Sequence, residues 1–202
     1  VSAGPLHSFV DAGDAGRGMT VLAEGLTEFE VTGDGPPRLA LTLLRSVGWL
    51  SRDDLSTRRG NAGPSLATPG AQCLGPRRFR FAAIPRLAPP DAAGLYKDAR
   101  AFLAPPRLAG PAGRDGRLPG RHTFLEATGP VVLSALKRAD DRDALVLRVF
   151  NPGPAPARLS LERDADAFVC DLGEKRVGPV HASDGRLEVA LAGHQVKTIE
   201  VP

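Results

Sequence analysis

The chain of 202 residues holds two cysteines, one methionine, one tryptophan and one tyrosine. Cys73 and Cys170 lie far apart in unrelated contexts and read as free thiols rather than a disulfide, which fits a reducing compartment. No apolar run approaches the roughly 20 residues that a membrane span needs. The start VSAGPLHSF has neither a charged n-region nor an apolar h-region. A cytoplasmic location without membrane attachment is therefore expected. The first residue is Val1, and the only methionine, Met19, falls inside a predicted strand, so the chain reads as a piece of something longer.

Catalytic signatures are equally sparse. There is no HExxH, CxxC, Walker or GxSxG motif. His7, His122, His181 and His194 are widely separated, none has a partner at metal-ligand spacing, and each reads as a surface or loop histidine. The glycine-rich Gly13–Gly18 precedes a strand instead of opening a helix, so it reads as a hairpin turn and not a phosphate cradle. Lysine is scarce too: all but four of the 26 cationic residues are arginine. The net charge of +3 and pI near 9.2 come from arginines interleaved with 23 acids, without the basic stripe of a nucleic-acid binder. Joint enrichment in Arg, Ala, Gly and Pro points instead to a GC-rich coding sequence.

What the chain does hold is short apolar runs divided by 23 glycines and 19 prolines, the pattern of a strand-rich fold. Met19–Glu24, Glu28–Thr32, Arg38–Leu44 and Phe79–Ile84 alternate with period two, with turns at Gly25 and across Gly33–Pro37 and a stop at Pro85. Phe79 and Phe81 share one face, Arg78 and Arg80 the other. Asp91–Leu103 is the one predicted helix, capped by Asp91, with Leu95, Ala99 and Phe102 on one side and Pro105–Pro106 preventing continuation. Leu108–Gly120 reads as an exposed connection and a subdomain boundary. Strands return at Val131–Arg138, Ala144–Phe150, Ala157–Glu162, Ala167–Cys170, Arg186–Leu191 and Val196–Val201, with turns at Asp140–Asp141, Asn151–Gly153, Ser183–Gly185 and Gly193.

The expected fold is therefore all-β. A larger antiparallel β-sandwich over 1–120, carrying a long loop at 45–75 and the helix near 91–103, precedes a smaller C-terminal antiparallel sandwich over 121–202.

Glycoside hydrolysis needs two carboxylates flanking the scissile bond, and the acidic pairs of this chain make poor candidates. Asp53 and Asp54 are adjacent and so point apart, a poor acid/nucleophile pair; Ser51 and Asp53 can instead cap a turn. Glu28 and Glu30 read as solvated edge charge, and Asp140, Asp141 and Asp143 as a solvated turn. The loop from Arg45 to Gln72 is richer. Arg45, Arg52, Arg58 and Arg59 offer planar donor forks, Trp49 a sugar-stacking face, and Gln72 both donor and acceptor. The same residues also admit a structural reading, with Trp49 in the core and the arginines tying the loop to the sheet.

The block LTLLRSVGWLSRDDLSTRRGNAGPSLATPGAQCLG, Leu41–Gly75, resembles the C-terminal β-domain of glycoside hydrolase family 38, the zinc-dependent α-mannosidases. It is most similar to the bacterial branch with mannosylglycerate hydrolase-like enzymes. The resemblance extends upstream through Phe9–Asp11, Val21–Leu26 and Glu28–Val31. Downstream it covers Val131–Asn151, Asp171–Glu174 and Val196–Ile199. It implies supersandwich-like β-domains at the end of a retaining α-mannosidase, whose nucleophile and zinc ligands sit on an N-terminal β/α barrel followed by a helical bundle. None of those catalytic or zinc-binding motifs is matched here, so the resemblance implies a non-catalytic domain, with zinc only in the parent enzyme. Its implied partners are the parent's barrel and helical domains, a mannose-containing substrate, and a second copy in a homo-oligomer. Arg45, Arg52, Asp53 and Gln72 match the family block and are the candidates for the rim of the active site. The rival expectation is a free-standing carbohydrate-binding or adhesion module.

Overall fold

The structure, a computed structural model, describes residues 2–33, 38–110 and 119–202. The turn expected across Gly33–Pro37 and most of the connection expected over Leu108–Gly120 lie outside the described residues. Contacts divide the chain into two compact units, 1–89 and 90–202, and both are built from antiparallel sheets. Among the described residues no helix is long and apolar enough to cross a membrane.

The first unit contains β1 (Ser2–Pro5), β2 (Phe9–Gly13), β3 (Gly18–Glu24), β4 (Glu28–Thr32), β5 (Arg38–Leu41) and β6 (Arg80–Arg86), with a 3-10 turn at Pro69–Gln72. They form two three-stranded sheets, β1-β4-β5 and β2-β3-β6. Leu6, Val10, Val21, Ala23 and Leu26 make a small core against which Phe29, Leu39 and Leu41 pack. The β2–β3 hairpin closes at Gly13–Gly18 as expected, because the Asp14 Oδ1 accepts the Gly16 and Arg17 amides at 2.7 and 2.9 Å.

Three details differ from the sequence reading. The alternation expected in β3 is replaced by four successive buried residues, Thr20–Ala23, since both faces of this central strand are covered. β5 ends at Leu41, after which only the Thr42 amide still bonds to the Glu28 carbonyl. Pro85 does not stop β6, which runs to Arg86: this is an edge strand, where a missing N–H can face away from the ladder. Arg86 then pins the strand end. It grips Asp11 bidentately at 3.0 and 2.8 Å and donates to the Asp14 and Ala88 carbonyls.

The second unit contains α1 (Ala92–Leu103), β7 (Ala127–Thr128), β8 (Val132–Arg138), β9 (Leu145–Phe150), β10 (Ala157–Glu162), β11 (Ala167–Cys170), β12 (Arg176–Val180), β13 (Ala182–Ser183), β14 (Arg186–Leu191) and β15 (Val196–Val201). A five-stranded sheet, β12-β11-β15-β9-β8, faces a four-stranded one, β13-β14-β10-β7. Their inner faces meet in one core that includes Leu147, Val149, Leu159, Leu161, Leu187, Leu191 and Ile199, each almost without exposure. Strict alternation in β14, polar out and apolar in, is the sequence signal of this sandwich. The turn at Asp184–Gly185 has positive φ at both residues, the geometry that a tight hairpin requires.

The helix belongs to this second unit. Tyr96 meets Phe150 of β9 edge to face with ring centroids 5.0 Å apart, and Ala93 and Ala99 are buried. The contacts thus put the division at 89/90 instead of 120/121. Asp91 occupies the N-cap position, yet its side chain makes no capping hydrogen bond.

Candidate functional site

The long loop after β5 is held by its own backbone. Leu50 N donates to Leu66 O at 2.8 Å, Thr68 N to Gly48 O at 3.0 Å and Val47 N to Ala71 O at 3.1 Å, around a bridge between Trp49 and Ala67. The Thr68 hydroxyl adds a bond to the Val47 carbonyl at 3.0 Å. Ser51 is buried, and its Oγ accepts the Ala62 amide at 3.0 Å. It therefore closes the loop across eleven residues rather than capping a local turn, and it does so within reach of Asn61 and Arg58. The loop is a folded hairpin, able to hold side chains in fixed directions.

This hairpin brings together Trp49, Arg52, Asp53, Asp54 and Ser65 around an open pocket of about 390 Å³. Trp49 is 46% exposed, so it is not a core residue of this chain. Arg52 forms a fork with Asp54, with Nε to Oδ1 at 2.7 Å, and this hydrogen bond holds the Asp54 carboxyl below the usual carboxylate range. A carboxyl held down in this way is a hydrogen-bond acceptor at neutral pH and a poor general acid. Asp53 makes no side-chain hydrogen bond among the described residues and is free to accept from a ligand. An exposed indole face beside an arginine, two carboxylates and a hydroxyl can bind a polyol by stacking and bidentate bonding.

Of the four residues singled out in the sequence, Arg52 and Asp53 line this pocket, whereas Arg45 and Gln72 do not. Arg45 is bonded to Glu28 of β4 at 2.7 Å, tying the loop to the sheet. The Gln72 amide lies beside Gly48, where a Cβ would come within 3.3 Å of Nε2. Asp54 and Ser65 are pocket residues that sequence reasoning did not select. In the sequence Asp54 beside Asp53 looks an unproductive pair, and Ser65 reaches the site only because 47–50 and 66–71 fold back on each other.

The same loop exposes Leu43, Leu44, Leu50, Leu66 and Leu74, and β6 exposes Phe81. That is an unusual concentration of apolar side chains at a surface. Among the described residues no three His, Cys, Asp or Glu side chains converge as a metal site.

Residues 130–199 match the family described as glycosyl hydrolases family 38 C-terminal beta sandwich domain. This segment lies wholly in the second unit. Over its full length the chain is similar to the solved structure of a glycosyl hydrolase family 38 protein from Enterococcus faecalis, with a TM-score of 0.80 and 26% identity. It is equally similar to an alpha-mannosidase from Enterococcus faecalis V583, with a TM-score of 0.80 and 27% identity. The chain spans 23% and 21% of those two proteins. A search of curated proteins finds no match.

Proposed function

We propose that this chain is the C-terminal β-domain portion of a family 38 α-mannosidase of the mannosylglycerate hydrolase-like branch. The observation that carries the reading is similarity along the whole chain to two proteins of which it covers less than a quarter, one of them an alpha-mannosidase. The longer protein would hydrolyse α-mannosidic bonds with retention, through a carboxylate nucleophile and zinc outside this chain. Zinc, when bound there, would supply a Lewis acid that orients and polarises sugar hydroxyls.

The role of this portion is to support the catalytic part and to rim its cleft. Arg45, Arg52, Asp53 and Gln72 are proposed for the rim, with Trp49 as the stacking face. The apolar side chains exposed around the loop support a docking role, since burying them would contribute about 25 cal/mol per Å². The purified chain is expected to leave an aryl α-mannoside uncleaved with or without added zinc. A longer protein containing it is expected to cleave the same substrate and to lose activity when zinc is chelated. Turnover by the chain alone would overturn the non-catalytic role.

The exposure of Trp49 beside Arg52 and Asp53 also favours a second reading, a free-standing carbohydrate-binding module. Trp49 is the only tryptophan, so its fluorescence reports on this pocket without interference. Saturable change on titrating the isolated chain with α-methyl mannoside, abolished in Asp53→Ala, would favour the module. Unchanged fluorescence would leave the parent-enzyme reading in place.

A further inference from the structure

We propose that the second unit carries a binding site for an organic monoanion with an apolar body, such as a medium-chain carboxylate, in the cavity beneath α1. The cavity has a volume of about 270 Å³. Its walls are Leu125, Val132, Leu133, Val149 and Leu159, and its mouth carries Tyr96, Lys97 and Arg100 of the helix. It reaches the sandwich core, because Leu159 and Val149 have almost no exposure. This space stands close to the lower end of small-molecule pockets, which run from about 300 to 1,000 Å³.

The charge pattern selects the ligand class. Both ionisable groups at the mouth with a fixed charge are cationic, and no carboxylate lines the cavity. Neither Lys97 nor Arg100 has an ion-pair partner among the described residues. The helix does not pair them: positions three and four residues from each are Ala93, Gly94, Tyr96, Ala101, Leu103, Ala104 and one another, with no acid among them. The helix's one acid, Asp98, stands one and two positions away, where side chains do not face each other. Two unpaired cations over an apolar pocket complement a ligand whose head is anionic and whose body is hydrocarbon. Each buried methylene of such a ligand would tighten binding severalfold, so chain length is itself a readout. The site is independent of the sugar-facing loop, which lies in the other unit.

The test is a titration of this chain with octanoate, followed by calorimetry and by methyl resonances of the leucines and valines. The expected result is saturable one-to-one binding, with shifts centred on Val132, Leu133, Val149 and Leu159 and weaker binding of butyrate. Lys97→Gln with Arg100→Gln, both at exposed helix positions, should weaken octanoate on the order of tenfold while the circular dichroism stays unchanged. Octan-1-ol should bind the native chain about as weakly as octanoate binds that double variant. Absence of saturable binding overturns the proposal. So do equal affinity for octan-1-ol, indifference to the double substitution, or shifts centred on the exposed leucines near Trp49.

Discussion

Arg142 donates from Nε to the Glu200 carboxylate at 2.8 Å, and that carboxylate has no exposed surface. The other carboxylate oxygen accepts from Arg176 Nε at 3.1 Å. Glu200 stands between Ile199 and Val201, which point into the sandwich core, so strand alternation delivers it to the opposite face of the five-stranded sheet. That face is roofed by arginines: Arg176 also lies 3.9 Å above the Phe168 ring, and Arg142 reaches the Glu174 carbonyl. Hydrogen bonds from Arg176 and then Arg142 hold the Glu200 pKa at about 2, below its ordinary 4.5. Burial, with the Glu200 charge beside it, pushes the Cys170 thiol up.

The pH dependence follows from the direction of that shift. A carboxylate with a depressed folded pKa stabilises the fold fully above its unfolded pKa near 4.5, and this contribution is lost as pH falls toward 2. Glu200→Gln should therefore lower stability at pH 7 and flatten the loss between pH 4.5 and 2. The loss should fall short of the roughly 3–5 kcal/mol that breaking a fully buried pair costs, because the Arg142 and Arg176 side chains keep 27% and 47% of their surface in water. Urea melts of both chains across that pH range would check this, and parallel acid limbs would contradict it.

Ser51→Ala should loosen the loop while leaving both sandwiches folded. The substitution removes the acceptor of the Ala62 amide; Ala62 is exposed, so the freed donor meets water and only the net value of the bond, about 0.5–1.5 kcal/mol, is lost. A local change of about 1 kcal/mol corresponds to roughly a 5-fold shift in opening. Amide exchange at Ala62 and tryptic cleavage after Arg58 or Arg59 should accelerate by that order. Unchanged rates would mean that the backbone ladder alone holds the loop.

Gly129→Ala should be far more damaging than Gly25→Ala. Gly129 has φ +124, and a Cβ there would lie 2.1 Å from the Arg158 carbonyl oxygen, a backbone atom that cannot turn aside. Gly25 has φ +72 with nothing within 4 Å of the built Cβ, so only the left-handed backbone is penalised. The cost at Gly25 should be about 1 kcal/mol, and at Gly129 well above that, read as a drop in Tm. Similar Tm values for the two variants would refute the steric argument.

Much of the second sandwich was legible in the sequence. Ala157–Glu162, Ala167–Cys170, Arg186–Leu191 and Val196–Val201 coincide with β10, β11, β14 and β15, since each is a compact apolar or alternating run bounded by turn residues. β1, β2, β7, β12 and β13 are not marked as strands by the sequence, which shows only the hairpin turn after β2. They are short or carry proline and glycine, as in Arg-Val-Gly-Pro-Val of β12, and they exist because a neighbouring strand offers them a ladder. For the candidate site, the block around Trp49 drew notice by composition. Arg52 and Asp53 do share a pocket, but Arg45 turned to Glu28 and Asp54 became the partner of Arg52.

The sequence by itself determined the all-β class, most strand positions and the wealth of hydrogen-bonding groups in the loop. These follow from local periodicity and turn chemistry, which act within a few residues. Tertiary structure alone decided that the helix joins the second unit, that Trp49 faces outward, and that Glu200 is buried between two arginines. It also decided that Lys97 and Arg100 stand over an apolar cavity. Each of those outcomes depends on which distant segments meet, and the free energy of burial and pairing there is set by partners that no local pattern names.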